Sequence, residues 1–164
     1  MNFLTKLPLV AIVAFFCFSC TTESNDYEVN DIELSLTTPE TKTIEVEILD
    51  LINNHRLDMG LNALSDMTLV KSVAFTHTDY MVDNNVVSHA NFYKRSDYLK
   101  ANAGATKVTE NVAYGYSSAE SVVKAWLKSD AHRANMEGDF TNFDLAAEQN
   151  AEGKWYYTNI FIKK

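Results

Sequence analysis

The sequence predicts an α+β fold in which helices come first and antiparallel strands come last. In the first half of the chain, apolar residues recur at helical spacing, as at Ile44, Ile48 and Ile52. Near the end, the pattern changes to that of two strands, NFDLAAEQ (142–149) and KWYYTNIFIKK (154–164), around the turn NAEG. Helices followed by late antiparallel strands are typical of the α+β class.

The first element is a predicted signal peptide at residues 1–19. It has a lysine near its start and then an apolar run from Leu7 to Phe18, which is too short to favour a spanning helix. Ser19 directly before Cys20 resembles a bacterial lipoprotein signal, with cleavage before Cys20 and lipid attached to it. An ordinary signal peptide cut nearby is the alternative. The polar, acidic stretch from Cys20 to residue 38 then reads as a tether between membrane and domain.

The domain proper is predicted at residues 39–164, opening with two helices. Thr38 as N-cap and Pro39 at the first helical position predict the start of the first helix, and Gly60 its stop. The second helix is predicted to start near Ser65 and Asp66.

A weaker helix is predicted over about residues 91–100, followed by an extended segment, KVTENVAYG. Ser118 then opens a helix that contains Trp126, and the two closing strands follow.

Charge and cysteine content exclude several classes of function. The net charge is −8, and no basic patch suggests a nucleic-acid partner. The two cysteines, Cys17 and Cys20, lie in or beside the signal, so the mature domain has no disulfide, catalytic thiol or thiolate metal site. A zinc-protease HExxH motif, a glycine-rich phosphate loop and a serine nucleophile elbow are all missing from the sequence.

The four histidines fall into two pairs. His55 and His77 lie on the apolar faces of the first two helices, so each is expected to pack and to bond a neighbour. His89 and His132 lie on or beside breaks between helices, where functional residues are commonly placed.

Glu110 is the third candidate, because it is a carboxylate in an otherwise apolar row. In a strand, Val108, Glu110, Val112 and Tyr114 share one face. A buried carboxylate needs a donor, a cation or water, unless the register is shifted and Glu110 faces solvent. With two imidazoles it could bind a divalent ion such as Zn²⁺ or form a metal-free acid–base cluster. Sequence spacing does not choose between these.

Taken together, the motifs resemble the CAP/SCP superfamily of cysteine-rich secretory, antigen 5 and pathogenesis-related 1 proteins, in its bacterial lipoprotein branch. The resemblance covers about residue 43 to the C-terminus. It is carried by the stretch LINNHRLDMGLNALSDMTLVKSVAFTHTDYMVDNNVVSH, the Glu-Asn segment TENVAYG, the stretch VVKAWLKSDAHRANM and the closing strand GKWYYTNIF.

The resemblance implies an α-β-α sandwich with a small antiparallel sheet between helical layers. It also implies a cleft lined by His89, His132 and Glu110, with an associated divalent metal. Ser129 stands where the family has a second glutamate, and Asp130 beside it would point elsewhere. The eukaryotic set of cleft residues is therefore incomplete.

The sequence leaves three functions open. The first is an exported, membrane-anchored module of the bacterial cell envelope that binds an unknown small ligand or envelope partner, with or without a divalent metal. The second is a hydrolase that uses His89, Glu110 and His132 as catalytic groups. The third is a non-catalytic surface scaffold.

Overall fold

The computed structural model describes residues 36–164 of the chain. The predicted signal peptide, the lipid attachment at Cys20 and the tether up to residue 35 lie outside the described residues. Within residues 36–164, no helix combines the length and the apolar character that crossing a membrane requires.

The described residues form helices on both faces of one mixed sheet. The helices are α1 (Thr43–Asp58), α2 (Thr68–Asp83), α3 (Phe92–Ala103), α4 (Ala119–Lys128) and α5 (Asp130–Glu137). The strands are β1 (Ser65–Asp66), β2 (Lys107–Tyr114), β3 (Asn142–Gln149) and β4 (Trp155–Lys163). The order across the sheet is β1-β3-β4-β2. The three long strands are antiparallel, as predicted, and the two-residue β1 adds a parallel pairing to β3.

The alternation of side chains along the strands divides the core into two layers. Leu145 and Phe161 pack with Ile52 of α1 and Trp126 of α4 on one face. On the other face, Ala146, Ile160 and Ile162 pack with Val73 of α2 and Leu99 of α3. The predicted α-β-α sandwich is therefore confirmed.

The predicted start of the first helix was wrong, because α1 begins at Thr43 and not at Pro39. Lys42 is the N-cap, and its backbone N–H donates to the Glu45 carboxylate at 2.8 Å. A glutamate three residues after the cap binds the free N–H at a helix start. The Thr38 hydroxyl instead lies 2.8 Å from the hydroxyl of Ser72 on α2.

The predicted start of the second helix was also wrong. Ser65 and Asp66 form β1, held extended by pairing with β3, and α2 starts at Thr68. The later predictions are confirmed: β2 is extended, Ser118 caps α4 through the N–H of Ser121, and β3 and β4 flank the turn at 150–153.

Side chains cover the outer edges of the long strands. On β3, the backbone N–H of Ala147 donates to Glu45 at 2.8 Å. On β2, the carbonyl of Val112 accepts from Trp126 Nε1 at 3.2 Å. The carbonyl of Glu110 accepts from Asn135 Nδ2 at 3.2 Å. The helices are thus tied to the sheet at both of its edges.

Candidate functional site

Glu110 is the centre of the candidate site. It lies on β2 and is 5% exposed, so the register in which it would face solvent is not the one that the strand adopts. Its carboxylate receives side chains from α2, from the segment after α2 and from α3. We call the group formed by Glu110, His77, His89 and Arg95 the Glu110 cluster.

Arg95 of α3 binds both oxygens of the Glu110 carboxylate. Its Nε donates to Oε2 and its Nη2 donates to Oε1, both at 2.8 Å, and its Nη1 donates to the carbonyl of Ala90 at 2.7 Å. A paired fork of this kind gives a buried carboxylate two charge-assisted hydrogen bonds, which are stronger than neutral ones. Sequence reasoning missed Arg95, although the need of a buried Glu110 for a cation pointed to a nearby basic residue.

His89 binds the same carboxylate and keeps its other nitrogen free. Its Nδ1 lies 2.9 Å from Glu110 Oε1, and its side chain is 52% exposed. An ionised carboxylate only accepts hydrogen bonds, so Nδ1 carries the proton in this contact. In the neutral imidazole the lone pair is then on Nε2, away from Glu110 and available to a ligand.

His77 is buried, as expected of a packed histidine, and it also approaches the cluster. Its Nε2 donates to the carbonyl of Ser88 at 2.7 Å and lies 3.9 Å from Glu110 Oε1. Burial lowers the pKa of His77, and the positive charge of Arg95 lowers it further. A neutral His77 therefore holds the backbone directly before His89.

His55 lies outside the cluster. Its Nε2 is 2.9 Å from Glu137 Oε1 of α5, which matches the expectation of a histidine bonded to a neighbour.

The ionisation of Glu110 is set by opposing effects. Burial alone would raise its pKa, but the hydrogen bonds from His89 and Arg95 and the charge of Arg95 outweigh burial and hold the pKa below its usual value. Glu110 is therefore an anion at neutral pH with both oxygens engaged.

His132 lies in the first turn of α5, three residues after Ser129, the single residue that separates α4 from α5. It is partly exposed, and its backbone carbonyl accepts from Asn111 Nδ2 of β2 at 3.1 Å. Burial lowers the pKa of His132, and the charge of His89 lowers it further.

Neither Ser129 nor Asp130 supplies a carboxylate in place of the family's second glutamate. Ser129 is the N-cap of α5. The side chain of Asp130 is 92% exposed and pairs with Arg133, with Oδ1 2.7 Å from Nη2. Asp130 therefore does not replace the family's second glutamate.

These side chains do not fit a three-ligand metal centre. Among residues 36–164, no group of three or more His, Cys, Asp or Glu is placed to hold a metal ion. Both Glu110 oxygens already accept from Arg95. The remaining candidate metal ligands are His89 Nε2 and the His132 imidazole, for which residues 36–164 provide no hydrogen-bond partner. A site with two protein ligands is weaker than the usual catalytic site with three.

Comparison with known proteins matches residues 49–161 to the CAP model, the cysteine-rich secretory protein family. The chain is 33% identical over 126 residues to an uncharacterized membrane protein of Bacillus subtilis, YlbC, an alignment that covers 74% of this chain and 35% of YlbC. It is 32% identical over 125 residues to the uncharacterized B. subtilis protein YkwD, covering 73% of this chain and 47% of YkwD. The chain thus spans between about a third and a half of these relatives.

Two solved structures share the fold. An outer surface protein of Borrelia burgdorferi matches with a TM-score of 0.69 at 20% identity, covering 78% of this chain and 98% of that one. An extracellular SCP-domain protein of Bacillus anthracis matches with a TM-score of 0.65 at 27% identity, covering 78% of this chain and 45% of that one.

Proposed function

This chain belongs to the CAP family of cysteine-rich secretory proteins, and from that premise we propose that it is an exported, membrane-anchored binding module of the bacterial cell envelope. In this proposal His89 and His132 hold the ligand. The predicted signal peptide and Cys20 support export and anchoring. The names of the relatives, which include a membrane protein, an outer surface protein and an extracellular protein, agree with that location.

The observation that carries the proposal is the hydrogen bond between His89 Nδ1 and Glu110, at 2.9 Å. It fixes the imidazole so that the lone pair of Nε2 is free, while the carboxylate itself is occupied by Arg95. A carboxylate that already accepts three strong hydrogen bonds is a poor base for a substrate. The exposed imidazole is therefore suited to binding, with Glu110 orienting it.

A divalent cation such as Zn²⁺ is the first ligand to test, because imidazole nitrogens suit Zn²⁺ and a hydrogen bond to a carboxylate raises the basicity of a ligating histidine. With two imidazoles as protein ligands, water or a second molecule would complete the coordination, and weak binding is expected.

Calorimetric titration of the full-length chain with zinc tests the proposal. We expect binding heat in the wild type, loss of most of it in His89→Ala and in His132→Ala, and an unchanged heat in His55→Ala. His55 is a matched control, because it is hydrogen-bonded to Glu137 and lies outside the Glu110 cluster. Equal heats from all four proteins would refute binding at this site.

Hydrolysis is the second candidate, and the same hydrogen bond favours it, because a base oriented by a third group is typical of nucleophilic and acid–base catalysis. Assays with ester, peptide and peptidoglycan substrates test it. Turnover that disappears in both His89→Ala and Glu110→Gln would support the enzyme. Zinc binding without turnover supports the binding module, and neither binding nor turnover would favour the scaffold.

A further inference from the structure

A second polar site lies at the other end of α2, beyond the site proposed above. It is a cavity of about 500 Å³ between α1, the N-terminal part of α2, β1 and β3. No member of the Glu110 cluster lines it. Pockets of this volume are within the range that holds small ligands.

Two charged side chains that line this cavity, Lys71 and Asp144, are more than nine-tenths buried, at 4% and 6% exposure. Lys71 Nζ donates to Glu45 Oε2 at 2.6 Å. Within the described part of the chain, its two further N–H groups donate to no acceptor. An ammonium group that is buried and only partly bonded retains a capacity to bind a ligand oxygen.

Asp144 can accept hydrogen bonds from a ligand, whereas Lys71 can donate them. Its Oδ1 accepts from the N–H of Leu145 at 2.9 Å and its Oδ2 accepts from the N–H of Met67 at 3.2 Å. Among residues 36–164 it takes part in no ion pair within 4 Å. Each oxygen of a carboxylate has two lone pairs, so both oxygens can accept again. Burial raises the pKa of Asp144 to about 6, and the charge of Asp66 acts in the same direction, so the group is mostly ionised at pH 7.

Charges of both signs line the cavity, and carboxylates outnumber the single ammonium. An anion would meet Asp144 together with Asp50 and Asp66, which also line the cavity. A cation could pair with the carboxylates but would leave the free N–H groups of Lys71 without an acceptor, because Glu45 takes only one of them. Hydroxyl groups both donate and accept, so a ligand with several hydroxyls can bond Asp144 and Lys71 at once without adding charge.

The rest of the wall fits such a ligand. Thr38, Thr41 and Thr68 contribute hydroxyls, while Leu49 and Leu64 contribute aliphatic surface. A sugar ring presents hydroxyls at its edge and C–H groups on its faces, so it can use both kinds of wall.

We propose that this cavity is a binding site for a neutral polyhydroxyl ligand of about the size of a monosaccharide, which accepts from Lys71 and donates to Asp144. The site is independent of His89 and His132. It can therefore be occupied whether or not the function proposed for those residues is correct.

Titration of the ¹⁵N-labelled full-length chain, followed by NMR, tests the inference. The probes are D-glucose, N-acetylglucosamine and myo-inositol, with putrescine and inorganic phosphate as charged probes. We expect saturable shifts of the Leu49, Ser65 and Lys71 amides with at least one neutral probe. No saturable shift with any neutral probe, or stronger shifts with putrescine or phosphate, would overturn the inference.

Two variants locate the binding. Val46 lines the cavity and is 46% exposed, so Val46→Trp fills its opening. The control is Leu57→Trp, at a 57% exposed position of the same helix outside the cavity lining. We expect Asp144→Asn to weaken binding about tenfold or more, as loss of a hydrogen bond to a charged group does. Val46→Trp should weaken binding as well, because the indole takes up space that the ligand needs. Leu57→Trp and His89→Ala should bind as the wild type, and equal binding by Val46→Trp would refute the assignment.

Discussion

Replacing Arg95 with methionine should destabilise the protein strongly, because it leaves a buried carboxylate without its cation. Arg95 makes both of its 2.8 Å contacts to a Glu110 side chain that is 1% exposed, and its own side chain is 7% exposed. Removing one partner of a buried pair typically costs about 3–5 kcal/mol. Methionine keeps most of the aliphatic volume, so lost packing contributes little to the difference.

Urea denaturation at pH 7, followed by the fluorescence of the buried Trp126, measures the loss. Arg95→Lys keeps the charge but loses the fork, so we expect a smaller loss. In the double variant Arg95→Met/Glu110→Gln neither charge is buried, and we expect it to recover part of the stability lost by Arg95→Met alone. A loss below about 1 kcal/mol for Arg95→Met would contradict this account of the pair.

The pH dependence of the stability of the wild type and of Arg95→Met gives a second check on the role of the ion pair. In the wild type the pKa of Glu110 lies below its usual value, so the pair's contribution to stability is present above that usual value and is lost as the pH falls through the native pKa. In Arg95→Met, burial acts with less opposition, so Glu110 takes up a proton at higher pH. The stability difference between the two proteins should therefore shrink from pH 7 to pH 4, and a constant difference would refute the electrostatic explanation.

Two further predictions concern other parts of the fold. Burial raises the pKa of Asp144 to about 6. The native state therefore binds a proton more readily than the unfolded state, so this group adds stability as the pH falls from 8 to 5. Asp144→Asn should lack that rise, and the variant and the wild type should differ in the pH slope of their melting temperatures; parallel slopes would disprove the assignment. Ser118→Ala should cost about 1 kcal/mol in urea denaturation because it removes the cap of α4, whereas Ser117→Ala, at the exposed neighbouring position, should cost almost nothing. Equal losses from the two serine variants would show that the cap contributes no stability.

The architecture could be predicted from the sequence because periodicity and capping are local signals. The change from helical spacing at Ile48 and Ile52 to strand spacing around Tyr157 and Phe161 is visible without any tertiary information. The wrong helix starts have a tertiary cause. Thr38 and Ser65 are good caps by residue type, but Thr38 bonds Ser72 and Ser65 pairs with β3.

The candidate site could be predicted only in part, because some of its residues are identified by local signals and others by tertiary contacts. The anomaly of a carboxylate in an apolar row identified Glu110, and the family resemblance paired it with His89 and His132. Arg95 was not predicted because its partner, Glu110, is fifteen residues away on another element. His77 was correctly expected to pack, but its approach to Glu110 depends on how α2 crosses the sheet, which helical periodicity does not specify.

The contacts made by Glu45, Trp126 and Asn135 at the sheet edges also limit how partners can be recognised. Many modules capture extended peptides by lengthening a sheet, which requires free backbone groups along an edge strand. Here Glu45 occupies the N–H of Ala147, and Trp126 and Asn135 occupy carbonyls of β2. A peptide strand could pair at these positions only by displacing these side chains, of which Glu45 and Trp126 are buried. The same contacts protect these edge positions against edge-to-edge aggregation.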